Sequence, residues 1–490
     1  MVWTGHVECP CPGPRCGGIL AKKSLFWMTS VRLQDGKWLL GTALVVGLLV
    51  RAVVLAQTVN LGTPIIDEQH YAQLARSLLN GEGFAWAPGQ PTSIRPPLYP
   101  AFLASIWSIF GQGNYQAVRV AQVLLSVATA WLVFLLGRQV FSAVVGRVSA
   151  AAVWLYPSLI FFNVTILTET LYTFLLVAFL LLMVKLVEAP RATIAAGAGL
   201  ALGLSCLTRS SLWPLPLVLC PLMLAIVRGR FQQRAMAATL MLAGYAVVVA
   251  PWAVRNTRLQ GVVTVVDTMG GLNLRMGNYE HTPEDRMWAA VELTGERSSI
   301  DGISADFPDR PPTEGEKERW AQRKAVEYII ANPGTTMRRS MIRFADFWGL
   351  EREYAAGIGH GLYTPSAWFG MTASVAVVIA FATLAVGGVA GVWLAPPRSW
   401  RTQVVLLLPA IAIMGVHTLV FGHSRYHVPL VPLLSLYAAA LWSEGLVRLS
   451  ARRLVFAGAA ASVAVLAFVW SRQLFVTEVA RIQGFFAHVR

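Results

Sequence analysis

Apolar runs near 20 residues long, separated by short polar loops, recur along most of the chain. Such runs are long enough to cross a ~30 Å hydrocarbon layer as helices. The pattern predicts about eleven spans, at roughly 38–57, 117–136, 148–162, 164–186, 192–207, 211–227, 236–254, 367–394, 403–421, 427–447 and 454–471. The alternating ten-residue segments of a membrane barrel do not occur. The expected fold class is therefore an all-α polytopic membrane protein, a helical bundle in which each span satisfies its own backbone polar groups.

Two longer polar segments interrupt the spans. The first, 58–116, carries a helical pattern over 67–80, with Tyr71, Leu74, Ala75 and Leu78 on one face and Gly81-Glu82-Gly83 as its stop. A second helix over 98–110 is apolar but too short to span, so it is expected in the interface. The second segment, 255–365, predicts a helix over 314–331 ended by Asn332-Pro333-Gly334, then an interfacial helix over 337–350. At about 110 residues it allows a small cap rather than an independent domain. The chain divides accordingly into a tail (1–37), a first transmembrane half (38–254), the cap (255–365) and carboxy-terminal helices with a short tail (366–490).

Composition agrees with the pattern: 56% of the 490 residues are hydrophobic, 13% are charged, and the mean hydropathy is +0.56. A soluble domain would carry about a quarter charged residues. The net charge of +15 is concentrated in short loops, where Arg138, Arg147, Lys185, Arg191, Arg228, Arg230, Arg234, Arg398, Arg401, Arg448, Arg452 and Arg453 fall on one side of the bundle with the amino terminus. That bias marks the cytoplasmic side and removes nucleic acid from the partners. Both long polar segments then face outward. Cys9, Cys11 and Cys16 crowd the amino terminus without a second half-site for zinc. The tail is expected to be disordered, with Met28 an alternative start, and the first span an uncleaved anchor.

Several polar residues need a reason at the outer boundary. Asp67 and Glu68 start the first loop helix; helix capping accounts for one carboxylate, but less well for a pair followed by His70 and Tyr71. Glu169 lies just inside a span, where an ionisable group at the centre costs about 2.5–3.5 kcal/mol and faces a partner or a wet cavity. Arg95, Arg209, Arg255, His423 and Arg425 gather cations on the side that disfavours them. A phosphate is the natural partner for such guanidinium groups. Asn273 sits in the Gly/Asn-rich turn 267–278, which could offer amides to an anion. His281, Glu284 and Asp285 form no diagnostic metal pattern; no metal site is assigned, although a divalent ion remains possible as a cofactor.

A carboxylate beside several cations suits transfer of a sugar from a lipid phosphate. The leaving phosphate needs cations as charge develops on it, and one carboxylate must orient the acceptor and take its proton. A glycosidase would instead place two carboxylates across one bond.

These stretches resemble the GT-C superfamily of membrane glycosyltransferases, in particular the bacterial relatives of protein O-mannosyltransferases and the lipid A aminoarabinose transferase. The resemblance rests on Asp67-Glu68-Gln69-His70-Tyr71, Arg95-Pro96-Pro97-Leu98-Tyr99-Pro100, Leu167-Thr168-Glu169-Thr170, Leu207-Thr208-Arg209-Ser210, Pro251-Trp252-Ala253-Val254-Arg255-Asn256, Gly270-Gly271-Leu272-Asn273-Leu274 and Arg425-Tyr426-His427-Val428-Pro429, in that order. It implies a polyprenyl-phosphate-linked sugar as donor, membrane lipids as surroundings, an unidentified acceptor (lipid, glycan or protein), and inverting transfer on the periplasmic face of the inner membrane. It implies catalytic roles for Asp67, Glu68 and Glu169, donor-phosphate contacts for Arg95, Arg255, Arg425 and His423, and an acceptor or sugar pocket near Tyr71, Arg209 and Asn273. Arg95 stands where the aminoarabinose branch has a lysine. A lipid-linked sugar flippase is the alternative; it would carry polar residues through the midplane, whereas the polar set here is one-sided.

Overall fold

The computed structural model describes residues 37–284, 287–420, 422–444, 453–479 and 483. The expectations for the amino-terminal tail with its three cysteines, and for Asp285, Arg448 and Arg452, lie outside the described residues. Among the described residues there is no strand; one antiparallel bridge joins Ala85 to Pro91. The helices, in order, are α1 (Lys37–Gln57), α2 (Ile66–Leu79), α3 (Leu98–Phe110), α4 (Tyr115–Val140), α5 (Ala143–Leu155), α6 (Pro157–Val164), α7 (Glu169–Glu188), α8 (Ala192–Thr208), α9 (Leu215–Ile226) and α10 (Phe231–Gln260). They continue with α11 (Gly270–Gly277), α12 (Ile303–Asp306), α13 (Glu314–Ala331), α14 (Pro333–Phe347), α15 (Glu353–Gly359), α16 (Ala367–Leu394), α17 (Trp400–Leu419), α18 (Val431–Glu444) and α19 (Arg453–Arg472).

The chain is a multi-pass membrane protein. Seven described helices, α1, α4, α7, α10, α16, α17 and α19, are long and apolar enough to cross a membrane; α5 and α6, bent by 50°, would together make an eighth. The bend has a local cause. Pro157 lacks an N–H and forces Tyr156 into an extended conformation, so the span expected at 148–162 is broken there. The spans expected at 192–207 and 211–227 form the shorter apolar helices α8 and α9, of 17 and 12 residues. The last turn expected of α9 at its start is taken by a 3₁₀ turn, Ser210–Leu212, followed by Pro214. Helix α7 is the hub, with 78% of its apolar window buried, against 17% for α1 and α19 at the periphery.

Small residues let the hub's neighbour approach α10. A Cβ on Gly199 would lie 1.9 Å from the Met241 carbonyl, and one on Gly244 would lie 2.4 Å from the Ala196 carbonyl. This reciprocal close approach is how membrane helices gain packing without a hydrophobic driving force. Gly199→Ala is expected to destabilise the bundle by about 1–3 kcal/mol, read as a lowered apparent melting temperature of the purified protein.

The polar segment after α10 folds largely as the pattern predicts. Thr313 and Glu316 close a reciprocal cap at the start of α13: Thr313 Oγ1 accepts from the Glu316 amide (3.2 Å) and Glu316 Oε2 from the Thr313 amide (2.8 Å). Pro333 then begins α14, four residues before the expected start at 337, because proline is preorganised for the first helical position. Helix α11 packs on α13 closely enough that a Cβ on Gly271 would sit 2.1 Å from the Glu318 carbonyl. That closeness leaves Glu318 half-buried beside Asp267. Burial, then Asp267, pushes Glu318 up to about 7. An acid whose folded pKa is raised binds more protons folded than unfolded, so its contribution falls as pH rises from 4.5 towards 7, by about 3 kcal/mol at most. Glu318→Gln is expected to flatten that part of the melting-temperature profile against pH.

Candidate active site

The site is assembled from four segments that end at the same face of the bundle. The first is the start of α2. Glu68 Oε2 accepts from the Ile65 amide (3.0 Å), which caps the helix, while its Oε1 accepts from the Ile166 amide (2.8 Å) in the turn before α7. Glu68 is 1% exposed and thereby fixes Asp67, its neighbour, relative to α7.

The second segment carries Arg95. Glu314 at the start of α13 accepts from Thr92 Oγ1 (2.6 Å) and from the Ser93 amide (2.7 Å), and Ser93 Oγ donates to Asn256 Oδ1 (2.9 Å). Arg255 donates to the carbonyls of Thr92 (2.9 Å) and Phe84 (3.0 Å), with its guanidinium 4.5 Å from the Trp252 ring centre. Pro96 and Pro97 then stiffen the chain before α3. Arg255 thus clamps the loop that presents Arg95.

The third segment joins α6 to α7 and places Glu169, fully buried, in the first turn of α7. The fourth is the 3₁₀ helix Ser424–Leu430. It is anchored from beneath by His427, whose Nδ1 lies 2.5 Å from the Phe347 carbonyl and whose Nε2 lies 3.0 Å from Glu351 Oε1. Glu351 in turn accepts from Tyr156 (2.8 Å) and from Ser158.

The side chains meet as one charged cluster. Arg95 Nη2 donates to Asp67 Oδ1 at 2.6 Å, and Arg425 Nη1 to Asp67 Oδ2 at 3.3 Å. Arg425 Nε also bonds to Glu169 Oε1, which accepts from Arg209 Nη1 at 3.3 Å. Arg209 extends from the end of α8 and lies over the Tyr426 ring at 5.1 Å. In these ion pairs three guanidinium groups share two carboxylates. Two polar atoms here, Glu169 Oε2 and Arg95 Nε, are buried without a hydrogen-bond partner. Burial opposes ionisation of Asp67, but Arg95, Arg425 and His70 outweigh it, so its carboxyl titrates below the ordinary value of 3.8.

The structure thus brings Asp67, Arg95, Glu169, Arg209 and Arg425 together, with Tyr71 beside them: its ring is 6% exposed, and the Arg95 guanidinium lies 5.7 Å from its centre. Glu68 and Arg255 stand behind the cluster, each engaged with backbone. His423 Nδ1 contacts Glu353 Oε1 at 3.1 Å, one residue from Ser424. Burial disfavours the Glu353 carboxylate, yet His423 and Arg425 hold it at about 2. Asn273 lies on α11, half-buried, bonded through its backbone to Met269. Glu353, Glu351 and Asp267 escaped the reading of the sequence. Asp267, whose Oδ1 accepts from the Met269 amide at 3.0 Å, is pushed up by burial, against Ser210, that amide and Arg95. Nothing marked these acids in the sequence, since each acts through a partner from a distant segment.

Among the described residues no group of three or more His, Cys, Asp or Glu could hold a metal ion. The two carboxylates at the centre are already bridged by guanidinium groups. This donor set does not fit a divalent cation, and no step is routed through one.

The site is thus a buried acid–guanidinium cluster at one face of an all-helical membrane bundle. Residues 94–254 match the family described as dolichyl-phosphate-mannose-protein mannosyltransferase. The matched segment includes Arg95-Pro96-Pro97, Leu167-Thr168-Glu169-Thr170 and Leu207-Thr208-Arg209-Ser210, three of the stretches on which the motif resemblance rests. Among solved structures, the chain is similar to the archaeal oligosaccharyltransferase AglB from Archaeoglobus fulgidus in complex with an inhibitory peptide and a dolichol-phosphate. That likeness has 17% identity and a TM-score of 0.47, covering 92% of this chain and 56% of that one. ArnT from Cupriavidus metallidurans bound to undecaprenyl phosphate is similar at 13% identity and a TM-score of 0.41, covering 82% of this chain and 78% of that one. The Archaeoglobus fulgidus oligosaccharyltransferase tethered to an acceptor peptide gives 16% and 0.49, with coverage of 92% and 55%. The chain spans about half the length of these oligosaccharyltransferases. No curated protein sequence matches it significantly.

Proposed function

We propose that the chain is a glycosyltransferase that moves a sugar from a polyprenyl-phosphate donor to an acceptor, with inversion, on the periplasmic face of a bacterial inner membrane. One observation carries this reading: Asp67 is held between Arg95 and Arg425, and Glu169 ties Arg425 to Arg209. The donor phosphate is an anion that competes with Asp67 for the same guanidinium groups. As it takes over Arg425 and Arg95, the carboxylate is freed to face the acceptor. The acceptor oxygen then attacks the anomeric carbon from the side opposite the phosphate. The carbon–oxygen bond to the phosphate breaks, the polyprenyl phosphate keeps the electron pair, and the acceptor proton passes to Asp67. The cations stabilise the charge that grows on the leaving phosphate. Glu169 keeps two of them in place, Glu68 positions Asp67, and Arg255 positions the loop of Arg95.

The test is incubation of the purified full-length protein in lipid nanodiscs with a panel of polyprenyl-phosphate sugars and membrane acceptor extract. One donor is expected to be consumed, with release of polyprenyl phosphate and a product of inverted anomeric configuration. Passage of the donor across vesicles without any glycosylated product would instead establish a flippase.

A further inference from the structure

The outward face of α2 carries a feature that the donor chemistry does not use. Gln69, His70, Gln73 and Arg76 fall along one stripe of the helix, opposite the buried Tyr71, Leu74 and Ala75. A polar stripe alone is an ordinary solvated face. Here it forms one wall of an open cleft of about 430 Å³, lined by Thr63, Gln69, His70, Gln73, Arg76 and Trp86. That volume is on the scale of small-molecule sites.

Trp86 forms a second part of the lining, in contact with α2. Its amide donates to the Gln90 carbonyl (3.0 Å), its carbonyl accepts from Gln73 Nε2 (2.9 Å), and its ring meets His70 edge to face at 5.0 Å. The loop before it packs through Phe84 on Trp252, with ring centres 4.9 Å apart.

His70, in the lining of the cleft, is connected through Arg95 to Asp67. Asp67 precedes His70 by one helical turn, and Arg95 Nη2 contacts both Asp67 Oδ1 (2.6 Å) and His70 Nδ1 (3.2 Å). Arginine only donates, so His70 Nδ1 accepts and the neutral ring carries its proton on Nε2. Asp67 therefore has two sides: Oδ2 faces Arg425, Arg209 and Glu169, whereas Oδ1 faces Arg95 and His70. On the transferase reading, the donor phosphate takes over Arg425 and Arg95, and the acceptor approaches Asp67 from the side of His70.

The lining states what acceptor suits it. An indole wall offers an apolar face to ring C–H groups. Two amides, an imidazole and a guanidinium offer the hydrogen-bond donors and acceptors that hydroxyl groups take. No carboxylate lines the cleft, so a cationic acceptor would find no partner.

We propose that the cleft between α2 and Trp86 is the acceptor subsite and that it takes a saccharide, whose hydroxyl group is presented to Asp67. This rests on the transferase reading above. The saccharide chemistry is shared by free glycans and by glycolipid headgroups.

The test uses saturation-transfer NMR on the full-length protein in nanodiscs, with maltotriose, a maltotriosyl lipid and a Ser/Thr-rich nonapeptide as probes. Wild-type protein is expected to saturate one or both saccharide probes and not the peptide. Trp86→Ala is expected to weaken saccharide binding by about tenfold or more, and Trp86→Phe to restore most of it. Binding of undecaprenyl phosphate should be unchanged in both variants, which shows that they are folded. A response only from the maltotriosyl lipid identifies a glycolipid headgroup; a response from both identifies the glycan itself. No saccharide response, a response confined to the peptide, or full binding in Trp86→Ala overturns the proposal. Donor turnover is followed separately: no turnover in the wild-type protein with any donor sinks the transferase reading and leaves the binding result legible.

Discussion

Asp67→Asn is expected to lower sugar transfer by about 10³-fold, within the range of a lost general base, while donor affinity is retained or increased. The substitution preserves shape, and the amide oxygen still accepts one hydrogen bond from Arg95 or Arg425, so the start of α2 stays in place. It removes the group that takes the acceptor proton. It also removes a negative charge from the cluster, which leaves Arg95 without its carboxylate partner and Arg425 with Glu169 alone. A donor phosphate then meets less competition. The signature is therefore a fall in kcat with an unchanged or lower KM for donor. It is measured as release of polyprenyl phosphate alongside donor binding to the same preparation. Transfer within tenfold of wild type would remove Asp67 from the mechanism. Because Arg95 and Arg425 outweigh burial and hold the Asp67 carboxyl below 3.8, the acid limb of the wild-type rate should lie below the usual aspartate range.

Glu169→Gln is expected to damage both folding and donor use. Glu169 is fully buried and is the sole carboxylate recorded against Arg209 among the described ion pairs. Neutralising it leaves Arg209 and Arg425 side by side without the charge that binds them both. Breaking a buried pair by removing one partner costs about 3–5 kcal/mol. The guanidinium groups keep 16% and 17% exposure, so water recovers part of that cost. A lowered apparent melting temperature and a raised donor KM should appear together. Added polyprenyl phosphate should then recover more melting temperature in Glu169→Gln than in wild type, since the phosphate supplies the missing negative charge. A variant with wild-type melting and wild-type KM would show that the cluster is not held together through Glu169.

The contrast between Glu68 and Asp67 shows how far residue type reaches. Both are acids in the first turn of one helix, and both were expected to be catalytic. One helical step turns Glu68 towards the Ile65 and Ile166 amides, while Asp67 faces two arginines. Arg255 and Arg95 make a similar pair: each is a cation at the same boundary, but Arg255 is spent on the carbonyls of Thr92 and Phe84. What separates them is orientation, which depends on packing around each helix.

The sequence by itself determined the membrane class, the helical architecture and the residues from which the site is drawn. These follow from local quantities: the length of each apolar run against the thickness of a bilayer, the stops set by Pro and Gly, and the expense of ionisable groups near lipid. Tertiary structure alone decided which charges touch. Asp67 and Arg425 are 358 residues apart, and Glu169 and Arg425 are 256 apart. Bonds of about 3 Å over such separations are set by how α2, α7, α8 and the 3₁₀ turn before α18 pack, which periodicity along the chain does not encode. The same holds for Trp86: its side chain is evident in the sequence, and only its neighbours in space give it a role.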